Sequence, residues 1–90
     1  MNIDYRNPFE KDLKKILDKT LRSEIKRAIR SVEDAKSKWD IPELKKLRGY
    51  KKGIFYRIKI GSYRIGITIE GDLVTFYAVM HRKDIYKNFP

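Results

Sequence analysis

An alternation of apolar and polar residues on both sides of Gly61-Ser62 constrains the fold more than any other feature. Every second side chain is apolar from Ile54 to Ile60, and the pattern returns from Tyr63 to Ile69. Successive side chains of a β-strand point to opposite faces, so each run predicts a strand with one apolar face. Because Gly-X is a favoured two-residue hairpin loop, the sequence predicts an antiparallel pair of strands joined at Gly61-Ser62.

The opposite side of this hairpin is predicted to be cationic. It carries Arg57 and Lys59 on the first strand and Arg64 on the second, and the segment from Leu44 to Ile69 contains no acidic residue. Like charges gathered without a carboxylate repel one another unless an anion binds there. We therefore expect an anionic partner on this side of the hairpin.

Length and composition predict one globular domain spanning residues 1–90. A chain of this size buries only about 60% of its unfolded surface, so nearly all apolar positions must share the core. With 41% hydrophobic and 38% charged residues the chain is too apolar for disorder. No apolar run approaches the roughly 20 residues of a transmembrane helix. A net charge of +10 favours nucleic acid or an acidic protein as partner, although charge alone also fits a membrane surface or improved solubility.

The sequence carries no sign of export. It has no cysteine, and no basic segment leads into an apolar run after Met1. Neither disulfides nor a secretory signal is therefore expected. We expect a cytoplasmic protein.

The residues before the hairpin predict one strand and two helices. Asn2 to Arg6 alternates like a strand, and Asn7 is expected to cap a helix whose first turn accepts Pro8. A second helix is predicted from an apolar stripe with spacings of three and four, which is expected to pack onto the sheet. The stripe consists of Leu21, Ile25, Ala28, Ile29, Val32, Ala35 and Trp39.

The remaining segments complete an α+β fold. Leu44 and Leu47 are expected to anchor a loop, and Leu73 to Met80 predicts an interior strand. Asp84 is expected to cap a short last helix that Pro90 ends. The predicted order is a strand, two helices, a three-stranded antiparallel meander and a short C-terminal helix.

This order, with four short basic and aromatic segments, resembles the RelE/ParE toxin superfamily over essentially the whole chain. The segments are Leu47-Arg48-Gly49, Tyr56-Arg57-Ile58-Lys59-Ile60, Gly61-Ser62-Tyr63-Arg64-Ile65 and His81-Arg82-Lys83-Asp84-Ile85-Tyr86. The resemblance implies a compact RelE-like domain with a microbial RNase-like sheet, acting as the toxin of a type II toxin–antitoxin system.

The resemblance also implies an activity and partners. The RelE branch cleaves messenger RNA in the ribosomal A site without a metal and leaves a 2′,3′-cyclic phosphate, whereas the ParE branch is associated with inhibition of DNA gyrase. In both branches an antitoxin wraps the toxin. The expected partners are therefore an acidic, RelB-like antitoxin in a toxin–antitoxin hetero-oligomer, and the ribosome with its messenger RNA.

Family positions that act in catalysis or hold the RNA fall on a small set of residues here. Attack of a ribose 2′-hydroxyl on its phosphate needs a proton acceptor, cations around the phosphorane and a donor for the leaving oxygen. With no cysteine and one histidine, the chain offers no zinc ligand set, and we expect no metal or other cofactor. The implied positions are Arg57, Lys59, Arg64, Arg82 and Tyr86.

Individual roles leave alternatives open. Arg64 is assigned to the transition-state charge, because a guanidinium can bridge two phosphate oxygens, against the alternative of a surface arginine. Lys59 could act as base if its neighbours lower its pKa, or simply add charge. Arg82 could protonate or stabilise the leaving oxygen, or merely pair with Asp84.

The roles of Tyr86 and His81 also leave alternatives open. Tyr86 could stack on an exposed base or pack the last helix. His81 is a candidate acid or base, although a lone histidine at a strand end is more often structural. Met80 stands where some relatives carry a further basic residue, so the leaving-group donor could be missing or supplied by Arg82.

Further basic residues are candidate ribosomal RNA contacts, with a solvated surface as the alternative. They are Lys45, Lys46, Arg48, Lys51 and Lys52.

Two other functions stay open: a ParE-like toxin that is not a nuclease, and a plain nucleic-acid-binding module. Retention of Arg57, Lys59, Arg64 and Tyr86 together favours the ribonuclease.

Overall fold

The computed structural model describes residues 1–48 and 52–89, and within them the chain forms one mixed sheet with helices on both faces. The strands are β1 (Asn2–Tyr5), β2 (Leu44–Lys46), β3 (Phe55–Ile60), β4 (Tyr63–Glu70) and β5 (Leu73–His81). The helices are α1 (Asn7–Lys15), α2 (Lys19–Asp34) and α3 (Ile85–Asn88), with a short 3-10 turn at Lys38–Asp40. The predicted α+β class, element order and meander are confirmed.

The sheet order is β1-β5-β4-β3-β2, with β1 parallel to β5 and the other neighbours antiparallel. The predicted hairpin is present, with Ile58 opposite Ile65 and Ile60 opposite Tyr63. Gly61 has a φ of 55°, a left-handed conformation that glycine adopts without steric cost. The tight turn therefore fixes the register of the hairpin.

The main core lies on the sheet face that α1 and α2 cover. Ile65 and Ile67 of β4 and Phe76 of β5 are fully buried there, against Phe9 of α1 and Ile25 of α2. Phe9 and Phe76 place their ring centroids 5.3 Å apart. Both helices therefore pack on one face, as the apolar stripe predicted.

A smaller core lies on the opposite face and belongs to α3. It consists of Leu47, Ile85 and Phe89, with Phe55, Tyr77 and Met80 packed around them. Gly66 makes this packing possible, because a Cβ atom there would lie 2.8 Å from the Phe89 ring. The face predicted to be cationic thus also has an apolar part, where α3 covers it.

Several local predictions were wrong. Arg6, not Asn7, is the N-cap of α1. Asp84 is the N-cap of α3, as predicted, but within the described residues its side chain accepts no capping hydrogen bond. The second helix ends at Asp34, so Trp39 lies beyond it and is 84% exposed instead of packing in the core. The sequence pattern at Leu44 indicates only an anchor for the loop that follows, whereas in the structure Leu44 begins β2, which pairs with β3.

No helix in the described part of the chain has the length and apolar character needed to cross a membrane. The predicted stop at Pro90 lies outside the described residues.

Candidate active site

The strand register gathers four basic side chains on the sheet face that α3 only partly covers. Lys45 stands directly opposite Arg57, and Lys59 stands directly opposite Arg64. We call these four side chains the cationic face. Like charges directly opposite each other across strands destabilise a sheet, so this arrangement is costly in the free protein.

Arg57 is held in place by a strained turn. Its Nη1 donates a hydrogen bond of 2.9 Å to the carbonyl of Glu43, which also accepts one from the backbone N–H of Lys59 at 3.2 Å. Glu43 has a φ of 59°, which is uncommon for a residue other than glycine. The Nε of Arg57 is buried and has no acceptor among the described residues. A buried donor without an acceptor is rare in folded proteins and costs free energy, so this part of the site is unfavourable in the free protein.

Arg64 is held beside the hairpin turn and interacts electrostatically with other side chains of the site. Its Nη1 donates to the carbonyls of Gly61 at 2.8 Å and Tyr63 at 2.9 Å, which fixes the side chain beside the hairpin turn. The pKa of Arg64 is lowered, mainly by burial and then by the positive charges of Arg57 and Arg82, while Tyr86 acts in the opposite direction. The two arginines and the tyrosine therefore lie within electrostatic reach of Arg64.

Arg82 and Tyr86 reach this group from the segment after β5. The backbone N–H of Arg82 donates to the carbonyl of Ser62 at 2.8 Å, which ties the segment to the hairpin turn. Ile85 and Phe89 bury the inner side of α3, whereas Tyr86 is 61% exposed. Packing of α3 thus depends on Ile85 and Phe89, and the Tyr86 ring stays accessible.

His81 lies on the other face of the sheet. It pairs with Tyr63, and the two rings meet edge to face with centroids 5.6 Å apart. Its Nδ1 accepts a hydrogen bond of 3.2 Å from the backbone N–H of Lys83. The neighbouring pair, Arg64 and Met80, points to the cationic side. The structure therefore does not bring His81 together with the cationic face.

Two of the other basic candidates, Lys45 and Lys46, lie on opposite faces of β2. Both are exposed, and because adjacent residues of a strand point to opposite faces, Lys46 points to the helix-covered side, opposite Tyr56. Arg48 and Lys52 are also exposed. Lys51 lies outside the described residues.

Sequence reasoning missed two features that shape the site. The turn at Pro42-Glu43 places the carbonyl that holds Arg57, and Gly66 makes room for Phe89 and therefore for α3. Pro42 signals a turn, but not the direction of the next carbonyl.

Within residues 1–48 and 52–89, no three His, Cys, Asp or Glu side chains are grouped so that they could hold a metal ion.

Comparisons with known proteins define the class. Residues 3–86 match the family described as the ParE toxin of type II toxin-antitoxin system, parDE. The chain is 40% identical to Toxin RelE3 of Methanocaldococcus jannaschii over 91 residues, which span all of both proteins. The chain belongs to the RelE/ParE superfamily of type II toxins.

Solved structures agree with this assignment. One match is a chain of the RelB-RelE antitoxin-toxin complex from Methanococcus jannaschii, at 38% identity and a TM-score of 0.78, covering 97% of this chain and 99% of that one. The YoeB dimer from Staphylococcus aureus has the same fold at 16% identity, with a TM-score of 0.72 over 91% of this chain and 97% of that one.

Proposed function

We propose that this toxin is an endoribonuclease that cleaves messenger RNA in the ribosomal A site and is held inactive by a RelB-like antitoxin. The observation that carries the proposal is the cationic face that the strand register forms around Arg57 and Arg64. A backbone hydrogen bond ties Arg82 to the hairpin turn at the edge of this face, and the ring of Tyr86 is exposed. Guanidinium groups bind phosphate through paired hydrogen bonds, and an exposed aromatic ring can stack on a base.

The proposed reaction uses groups of the RNA and of the chain together with solvent water. The ribose 2′-oxygen attacks the adjacent phosphorus, a new O2′–P bond forms, and the P–O5′ bond breaks. The upstream product ends in a 2′,3′-cyclic phosphate and the downstream product begins with a 5′-hydroxyl. The proton of the 2′-hydroxyl passes to water and the 5′-oxygen takes a proton from water, so the step balances without an oxidant or reductant.

The arginines of the site are assigned to the charge that develops on phosphorus. Arg64 and Arg57 are fixed by bonds to backbone carbonyls, so their remaining N–H groups are oriented before the RNA arrives. Fixed donors aimed at developing charge are usually the largest contribution to catalysis. Arg82 is exposed beside the hairpin turn, where it can stabilise the leaving oxygen.

Lys59 and Tyr86 are assigned to charge and orientation. Lys59 is exposed opposite Arg64, and we assign it to neutralising the phosphate in preference to accepting the proton. Stacking on Tyr86 would orient the nucleotide, a contribution of about 1 to 3 kcal/mol per base.

The test is cleavage of a ribosome-bound message that carries one 2′-deoxynucleotide at the principal cleavage position. We expect cleavage at that position to stop, because the attacking oxygen is missing, and the unmodified message to yield a 2′,3′-cyclic phosphate. Continued cleavage of the modified message, or a 3′-hydroxyl on the upstream product, would contradict the mechanism.

A second candidate is inhibition of DNA gyrase without cleavage of RNA, which the family description as a ParE toxin favours. The two functions make opposite predictions in a purified system. A gyrase inhibitor should block supercoiling of plasmid DNA and leave ribosome-bound message intact. A ribonuclease should do the reverse.

The antitoxin is proposed from the similar chain in the RelB-RelE complex and from two surfaces of this chain. The cationic face attracts carboxylates as it attracts phosphates. A groove of about 270 Å³ between α2 and β3 has an apolar floor that includes Ala28, Ile41 and Ile58, with charged residues such as Glu24 and Arg27 also in its lining. If carboxylates anchor the complex, raising the salt concentration should weaken it, whereas an apolar helix in the groove should resist salt. The cytoplasmic location stays a prediction from the sequence.

A further inference from the structure

Trp39 is a large apolar side chain without a role in the core or in the proposed reaction. It is the only tryptophan of the chain and is 84% exposed. It stands on the short 3-10 turn at Lys38–Asp40, between α2 and β2. An exposed indole on a small domain offers a wide flat ring for a ligand.

A cavity of about 230 Å³ lies between this indole and the edge of the sheet. It is lined by Lys38, Trp39, Ile41, Leu44, Lys46 and Tyr56. The lining thus combines two aromatic rings with two ammonium groups, and its described residues include no carboxylate. Such a lining suits a flat, uncharged ring attached to an anion.

Lys38 contacts both aromatic rings. Its Nζ lies 5.0 Å from the centroid of the Trp39 ring and 5.6 Å from that of Tyr56, and it donates a hydrogen bond of 3.2 Å to the Tyr56 hydroxyl. Attraction between the ammonium group and the ring faces orders the indole. The high exposure of Trp39 leaves most of its ring area free for stacking.

A second cavity, of about 310 Å³, lies on the opposite flank of Trp39, and its lining mixes charges: Asp72 stands there with Lys36, Lys38 and Met1. A phosphate in that cavity is repelled by the Asp72 carboxylate, whereas the charged residues that line the first cavity, Lys38 and Lys46, are both cationic. The charge pattern therefore favours the side of Lys38 and Lys46 for an anion.

The first cavity is connected to the cationic face through the edge strand β2. Lys46 lies opposite Tyr56 at the cavity, while its neighbour Lys45 lies opposite Arg57 on the cationic face. Adjacent residues of a strand point to opposite faces, so β2 presents one lysine to each site. One extended strand of nucleic acid crossing this edge can contact both.

We propose that Trp39, with Lys38 and Lys46, forms a stacking site for an unpaired nucleotide of single-stranded RNA. The base stacks on the indole and the adjoining phosphates pair with the ammonium groups, a combination typical of single-strand binding. The flanking cations favour RNA over an apolar protein segment, which would leave two ammonium groups desolvated. This site concerns binding only, and its test does not depend on cleavage.

The first experiment uses the fluorescence of Trp39 as a direct report of stacking. The wild-type protein is titrated with a 2′-O-methyl oligonucleotide, which cannot be cleaved by 2′-hydroxyl attack, and with an abasic sugar–phosphate chain of the same length. We expect the oligonucleotide to quench the emission and the abasic chain to bind with little quenching. Equal emission changes for both would overturn the stacking proposal.

The second experiment measures binding of a labelled oligonucleotide by anisotropy. Trp39→Ala should weaken binding by about 5-fold to 150-fold, and Trp39→Phe should retain most of the affinity because its ring still stacks. Leu17→Ala is the matched control, since Leu17 is 86% exposed in the connection between α1 and α2, before the N-terminal end of α2. Its affinity should equal that of the wild type.

Two results of the second experiment would overturn the proposal. One is a folded Trp39→Ala protein that binds RNA like the wild type. The other is a Trp39→Ala protein whose antitoxin affinity falls while its RNA affinity is unchanged, which would assign the indole to a protein partner. Loss of cleavage in Arg64→Ala with quenching retained would concern the proposed reaction alone, so the two failures can be told apart.

Discussion

The two faces of the sheet are built from the same strands but do different work. On β4, Ile65 and Ile67 are fully buried under α1 and α2, whereas Arg64 between them and the hairpin turn points to the opposite side. One face buries apolar area, which is the dominant favourable contribution to folding. The other gathers cations that repel one another. Stability and anion binding are thus assigned to alternate residues of the same strands.

The contrast explains how a small domain can hold an unfavourable cluster of charge. Direct opposition of Lys59 and Arg64 costs about 0.2 to 1 kcal/mol, whereas burial of one large apolar side chain contributes about 1.5 to 3 kcal/mol. The stabilisation from apolar burial on the helix-covered face is therefore several times larger than the destabilisation from charge repulsion on the cationic face.

The largest expected effect comes from breaking the helix-covered face. Phe76→Ala removes a fully buried ring that contacts Tyr5 and Phe9, with centroids 5.5 and 5.3 Å away. We expect the free energy of unfolding, measured with urea, to fall by about 3 to 5 kcal/mol. Any lost activity should follow the unfolded fraction, and a variant as stable as the wild type would contradict this division of roles.

An intermediate effect is expected where the two roles meet, at Gly66. In Gly66→Ala the new methyl group would meet the Phe89 ring at 2.8 Å, so α3 must shift and carry Tyr86 with it. We expect a loss of stability of about 1 to 3 kcal/mol together with a loss of RNA cleavage that exceeds the unfolded fraction.

A second substitution makes the Gly66 prediction specific. Phe89→Leu in the Gly66→Ala background vacates the space that the methyl group needs, and should restore part of both properties. If the double variant is worse than Gly66→Ala in stability and activity, contact with Phe89 is not the cause.

The smallest expected effect has the opposite sign. Lys59→Met removes one member of a like-charge pair, so stability should rise by about 0.2 to 1 kcal/mol while cleavage of RNA falls. The gain should shrink at high salt, because ions screen the repulsion. Lys26→Met, at an exposed position of α2, is the control and should change neither property. A loss of stability in Lys59→Met would show that the pair is not repulsive.

The sequence allowed the helix-covered face to be predicted because its signals are local. The alternation through Ile58 and Ile65 and the turn at Gly61 are each contained within a few residues. Arg57, Lys59 and Arg64 followed from the same alternation, and the structure places them on one face. Register alone thus brought the charged group together.

The features that were missed depend on residues far apart in the chain. The three residues of β2 are too short to show a strand pattern and are stabilised by pairing with β3. The helical spacing that ends at Trp39 continues past Asp34, although the helix does not. Phe89 packs against Gly66 of β4, and no pattern within a few residues of the sequence predicts this contact. For the same reason, His81 could not be assigned to a face before the register with Tyr63 was known.

The central claim, that the cationic face cleaves RNA, is tested most directly by the initial rate of cleavage of ribosome-bound message by two matched variants. Arg64→Ala removes the arginine that lies among Arg57, Arg82 and Tyr86, and Arg30→Ala removes an exposed arginine of α2. With both proteins shown to be folded, we expect Arg64→Ala to lose about 100-fold to 1,000-fold in rate and Arg30→Ala to stay within about twofold of the wild type. Equal rates for Arg64→Ala and the wild type would contradict the claim.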